Sequence, residues 1–149
     1  MPFFLLINAA CGGGNRSRNV EGKKILIVGT GKSGLAAAEL LLAVKAVPVL
    51  FDGNEKIDPE EVRKKLPDGA GVKVLVGELP EEELEEISLA VFSPGVPVDT
   101  PFADRIRERK IPIWGEIELG YAFLKGRLIA ITGTNGKTTT TALTGQIMR

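Results

Sequence analysis

At 149 residues, 44% of them apolar, the chain is long enough for one full domain, or one domain plus part of another, with a real core. Its 19 basic and 19 acidic side chains cancel, which argues against a nucleic-acid binder working through a basic surface. The sequence has no histidine, which excludes a histidine metal site or histidine-based triad in this chain; the single Cys11 forms no intrachain disulfide and fits a reducing, cytoplasmic compartment; and no apolar run is long enough to span a membrane.

Residues 1–21 read as a flexible N-terminal extension. Phe3-Phe4-Leu5-Leu6-Ile7 before Ala9-Ala10-Cys11 faintly suggests a secretory or lipoprotein leader, yet no Lys or Arg precedes this short run. Gly12 to Arg18 then reads as a linker. Lys24 to Val28 is a continuous apolar run, as expected of a strand in a sheet covered on both faces. It leads into Gly29-Thr30-Gly31-Lys32-Ser33-Gly34, a G-x-G-x-x-G turn, and a helix from Ser33 to Lys45. A second strand, Val47 to Phe51, ends at Asp52, about twenty residues past the loop, where dinucleotide folds place a ligand-reading acid. Asp52-Gly53-Asn54 is also good turn chemistry, so a plain turn role stands beside the ligand role.

Asp58-Pro59-Glu60-Glu61 starts a helix, with Asp58 as N-cap, Pro59 at the first position and Glu61 closing a capping box; the helix stops near Leu66-Pro67-Asp68-Gly69. Val72 to Val76 is a third strand, and Pro80 to Ile87 a short helix whose glutamates form a solvated face. The fourth strand, Leu89 to Phe92, runs into Ser93-Pro94-Gly95-Val96-Pro97, either a plain turn or part of the ligand edge. Thr100-Pro101 opens a helix from Phe102 to Lys110; Ile111 to Trp114 is a fifth strand, and Pro112 suits an edge. Glu116 to Leu124 is a helix with Ile117, Leu119, Tyr121 and Phe123 available for packing, closed by Lys125-Gly126. This alternation predicts an α/β class, a Rossmann-like, doubly wound, parallel five-stranded sheet over residues 22–125.

Arg127 to Ile131 is an apolar strand, and a helix opens at Thr140. Between them, Gly133-Thr134-Asn135-Gly136-Lys137-Thr138-Thr139 has the chemistry of a phosphate loop. The glycines let backbone N–H groups turn toward an anion, Lys137 supplies a charge for the β- and γ-phosphates, and the Thr138 hydroxyl is placed to ligate Mg²⁺. The longer G-x-x-x-x-G-K-[ST] pattern would need a glycine at Ile131, so this is a shorter G-x-x-G-K-T loop. Residues 126–149 read as the start of a second, truncated α/β domain.

Val28 to Leu35, Phe92 to Pro97, Trp114 to Leu119 and Ile131 to Thr139 together resemble the Mur ligase family, in its D-glutamate-adding branch, from about Lys23 onward. The resemblance implies a first domain that binds the UDP part of UDP-N-acetylmuramoyl-L-alanine. Gly31, with the backbone amides of Lys32 and Ser33 and the Ser33 hydroxyl, would meet the diphosphate; Asp52 would accept from the uracil ring, and the Gly95 amide would help fix the ligand. Gly53 stands where the family often has a hydroxyl residue, leaving only backbone contact there. ATP and Mg²⁺ would be held by Gly133, Thr134, Asn135, Gly136, Lys137, Thr138 and Thr139, with Lys137 and Thr138 in catalytic roles and Thr138 on the metal. The implied reaction is amide formation with D-glutamate through an acyl phosphate, in peptidoglycan precursor synthesis. The partners are these small molecules, without nucleic acid or a membrane span, and the protein is expected to be a monomer. The family's other catalytic groups and its D-glutamate-binding domain are expected beyond Arg149, so this chain alone is expected to be inactive. Three other readings stand: a NAD-dependent oxidoreductase, which leaves the second glycine loop unexplained, a non-catalytic nucleotide-binding module, and a P-loop NTPase switch, which would usually carry its loop after the first strand.

Overall fold

The computed structural model describes residues 7–9, 20–67, 71–124 and 128–148. The linker reading of Gly12 to Arg18, the Asp68-Gly69 stop and the Lys125-Gly126 closure lie outside them. In chain order the first elements are β1 (Ile7–Ala9), β2 (Lys24–Val28), α1 (Lys32–Ala43), β3 (Val47–Asp52), α2 (Pro59–Arg63), β4 (Lys73–Val76) and α3 (Glu81–Glu85). There follow β5 (Ile87–Phe92), α4 (Pro101–Glu108), β6 (Ile113–Gly115), α5 (Glu116–Phe123), β7 (Leu128–Ala130) and α6 (Lys137–Ile147). Two compact units result, one of Ser17–Phe123 and one of Met1–Arg16 with Leu124–Arg149.

In the first unit five strands pair in parallel in the order β4-β3-β2-β5-β6. This is the α/β, Rossmann-like sheet expected from the alternation. From Ile25 to Val28 every residue of β2 is buried, because helices cover both faces. Successive side chains point to opposite faces. Ile25 and Ile27 pack with Ala37, Ala38 and Leu41 of α1, Val62 of α2 and Leu119 of α5. Leu26 and Val28 pack on the other side with Leu84 of α3 and Ala103 and Ile106 of α4. Each of these large aliphatic side chains contributes about 1.5–3 kcal/mol on burial.

The caps follow the sequence closely. Asp58 accepts from the Glu60 N–H at 2.8 Å and Thr100 from the Ala103 N–H at 3.2 Å, each followed by its proline. Glu61 does not reach back to complete a capping box. Two further differences have packing reasons. Ile87 begins β5 rather than ending α3, because its side chain is buried and its backbone pairs beside Lys24. Along α5 Leu119 is fully buried and Phe123 packs partly buried against the same core, while Ile117 is 87% exposed, so the helix spends one stripe on this core and not all four positions expected. β6 is an edge strand, and Pro112 precedes it, leaving its carbonyl to accept from the Ala90 N–H.

In the second unit β1 and β7 pair antiparallel, with Ile7 opposite Ala130. A strand at Ile7–Ala9 was not expected. α6 starts at Lys137, three residues before the predicted opening, with Gly136 as its N-cap. Ile129, expected in a buried strand, is 37% exposed, because the described residues place only β1 beside β7.

Ion pairs gather at the amino end of the sheet, Lys24 with Glu86 and Lys73 with Glu83. The hydrogen bond from Lys24, aided by its charge, holds the Glu86 carboxyl below its ordinary 4.5, and the same bond raises the Lys24 ammonium above 10.5. Acid breaks the pair as pH falls through the lowered carboxyl value, and alkali breaks it as pH rises through the raised amine value. We expect Lys24→Met to show a small, constant stability deficit between pH 4.5 and 10.5 that closes below that window. Urea midpoints measured across pH check this, and a deficit that persists at pH 2–3, roughly two units below the ordinary carboxylate value, would contradict it.

Candidate functional site

Strand order reverses at β2. The chain runs outward through β3 and β4 on one side, then returns to β5 and β6 on the other. At such a point the carboxyl ends of the strands open a crevice where α/β folds bind ligands. Three loops meet there. The Gly29 N–H donates to the Phe51 carbonyl at 2.7 Å, tying the loop to β3, and the Ser93 N–H donates to the Val28 carbonyl at 3.0 Å, tying β5 to it. Gly29 has φ +108°, and a Cβ there would lie 3.0 Å from the Ser93 side chain, so both backbone and space call for glycine.

Gly31 is the N-cap of α1 in extended conformation, and no side chain caps this helix. The first-turn N–H groups of Lys32 and Ser33 therefore lack a side-chain acceptor, beside a loop that can approach an anion closely. Gly34 lets this turn lie against the end of β2: a Cβ there would stand 1.9 Å from the Gly29 carbonyl oxygen. Lys32 and Gly95 are exposed and Ser33 half-buried, and Gly95 lies in a turn closed by Val96 N–H to the Ser93 carbonyl at 2.9 Å.

Asp52 ends β3 beside this loop. Its Oδ2 accepts from the Thr30 N–H at 3.0 Å and the Thr30 hydroxyl at 2.9 Å, and its Oδ1 from the Asn54 N–H at 3.1 Å. The Asn54 bond is the turn role read from Asp-Gly-Asn. The two bonds from Thr30 were missed, although a hydroxyl residue inside G-x-G facing an acid at the next strand end was the available signal. Beyond Ser93, a cavity of about 700 Å³ opens between the β5 loop, α4 and α5, lined by Ser93, Pro94, Val96, Arg107, Trp114 and Glu118. Arg107 is fixed by Asp104 and the Val98 carbonyl, at 2.7 and 2.8 Å.

In the second unit, Gly133 and Gly136 both take positive φ, +155° and +78°. Gly136 leaves the first turn of α6 without a side-chain cap. Lys137 Nζ folds over the loop, donates to the Gly133 carbonyl and lies 3.5 Å from that of Thr134. Thr134, Asn135, Thr138 and Thr139 are exposed around it. Among the described residues no His, Cys, Asp and Glu cluster could hold a metal ion, and no helix is long and apolar enough to cross a membrane.

Residues 23–115 match the family described as Mur ligase MurD-like, N-terminal domain. The chain belongs to this MurD-like family. The MurD-like chain is 50% identical over 130 residues to UDP-N-acetylmuramoylalanine--D-glutamate ligase of Lachnospira eligens, covering 87% of this chain and 29% of that protein. It is 49% identical over 131 residues to the same-named ligase of Lachnoclostridium phytofermentans, covering 88% of this chain and 29% of that one. The MurD-like chain thus spans under a third of the length of these relatives. Among solved structures, SirC, a precorrin-2 dehydrogenase, aligns with TM-score 0.48 at 15% identity, covering 87% of this chain and 66% of that one.

Proposed function

We propose that the chain is the N-terminal part of an ATP-dependent ligase that joins D-glutamate to UDP-N-acetylmuramoyl-L-alanine. The observation that carries this reading is the presence of two glycine-built anion cradles. Each lies at a strand-to-helix turn without a side-chain cap, one in each compact unit, in a chain whose residues 23–115 are MurD-like. A nicotinamide enzyme has a use for the first cradle and none for the second.

In this reading residues 22–125 take the uridine sugar. Gly31, Lys32 and Ser33 present backbone amides and a hydroxyl to the diphosphate, Asp52 accepts from uracil and the Gly95 amide fixes the far side. Residues 126–149 open the ATP-binding part. The residues present fit a nucleotide: two positive-φ glycines aim the backbone, Lys137 already sits across the loop, and the Thr138 hydroxyl is exposed in the first turn of α6. Bound Mg²⁺ would neutralise phosphate charge, with Thr138 as its protein ligand from this chain. Lys137 and the amides of Gly133 to Thr139 lower the cost of bringing a substrate carboxylate up to a triphosphate. ATP is the second substrate. Its terminal phosphoryl group passes to the carboxylate, the amine of D-glutamate attacks the acyl phosphate, and phosphate leaves. Since the chain spans about 29% of its relatives, we expect it to bind and not to turn over.

Thermal unfolding of the 149-residue chain tests the reading. At a hundredfold excess over Kd, UDP should stabilise it by about 2.7 kcal/mol, while NADH leaves it unchanged. Protection by NADH and not by UDP would overturn the ligase reading in favour of an oxidoreductase.

A further inference from the structure

We propose that Thr30 is a positioning residue: it saturates one oxygen of Asp52, so that the carboxylate offers a single acceptor on Oδ1 and selects a ring N–H over paired ribose hydroxyls. This rests on the reading that the crevice at β2 takes a uridine diphosphate.

An ionised carboxylate has about four acceptor sites, two on each oxygen. Thr30 fills both on Oδ2, with its N–H at 3.0 Å and its hydroxyl at 2.9 Å. Asn54 fills one on Oδ1 at 3.1 Å. What remains is one acceptor site, on Oδ1. A ribose gripped through both hydroxyls needs a free acceptor on each oxygen. The imide N–H of uracil is a lone donor between two carbonyls and needs only one. Thr30 suits this role by its position: Gly29 before it is anchored to the Phe51 carbonyl, and Gly31 after it caps α1, so the turn that builds the diphosphate cradle also aims the Thr30 donors. Gly53 leaves open space beside the acid, since a Cβ there would meet nothing within 4 Å. The same G-x-G turn and acid that suggest a dinucleotide site are thereby turned to a different ligand.

Isothermal titration of the 149-residue chain with UDP and with N3-methyl-UDP, which lacks the imide proton, tests this. The unsubstituted chain should prefer UDP by about tenfold, the difference one hydrogen bond to a charged acceptor makes. Thr30→Val keeps the shape and loses the hydroxyl that holds the carboxylate in place, so Oδ1 is no longer aimed at the imide and the preference should fall to about twofold, while Thr30→Ser should restore the tenfold value. Thr30→Ala is a second variant with the same expected loss. A preference retained in Thr30→Val or Thr30→Ala overturns the role of Thr30, as does equal binding of the two ligands by the unsubstituted chain. Failure of that chain to bind UDP at all sinks the uridine reading itself.

Discussion

Gly34→Ala should lower the melting temperature of the Ser17–Phe123 unit by on the order of 10–20 °C. The added methyl would stand 1.9 Å from the Gly29 carbonyl oxygen and 3.0 Å from its carbonyl carbon. Both are backbone atoms held by the 2.7 Å bond from the Gly29 N–H to Phe51, so neither can swing aside as a flexible side chain would. Instead α1 must lift off the end of β2. That strains the contacts of Ala37, Ala38 and Leu41 with the core, at a cost of about 3 kcal/mol if packing is partly kept. Gly31→Ala is the internal comparison. Its Cβ would meet nothing within 4 Å and its φ is ordinary, so its melting temperature should stay close to that of the unsubstituted chain. If Gly31 approaches the diphosphate as proposed, UDP affinity should nevertheless fall. Calorimetric melting of both variants, paired with UDP titration, separates a glycine needed by the fold from one needed by the ligand. Equal melting temperatures for the two would refute the packing argument.

Lys137→Ala should weaken MgATP binding by about 10–100-fold, the range for removing a charge-assisted phosphate contact. The ammonium rests on the loop carbonyls of Gly133 and Thr134, so it stands over the turn proposed to take the phosphates. Alanine is a better helix former than lysine, so a loss of binding would not reflect unwinding of α6. UDP affinity should be unchanged, because every residue assigned to UDP belongs to the other unit. Titration of the 149-residue chain with MgATP decides it. Absence of MgATP binding by the unsubstituted chain, or full retention by the variant, would count against the loop's assignment.

The parallel sheet was readable because β2, β3 and β5 are near-continuous apolar runs separated by helix-length segments, a pattern only a doubly covered sheet requires. Capping chemistry was readable too, because Asp58-Pro59 and Thr100-Pro101 act within a few residues. Non-local geometry was not readable. Nothing in the residues around Ile87 says that it joins a strand beside Lys24, and the exposure of Ile117 depends on which neighbours α5 meets. The same holds for the site. Gly29 to Gly34 and Gly133 to Lys137 announce themselves by spacing, whereas the bonds between Thr30 and Asp52 join residues 22 positions apart and appear only once β3 lies beside β2.

The Lys24–Glu86 and Lys73–Glu83 pairs lie at the opposite end of the five-stranded sheet from the Gly29–Gly34 loop. A five-residue strand spans about 16 Å, well beyond the roughly 8 Å over which exposed charges are felt at physiological salt. The two ends are therefore electrically deaf to one another. Charge at the foot of the sheet can be rewritten, for heat tolerance or solubility, without altering the field at the rim where we propose a diphosphate to sit.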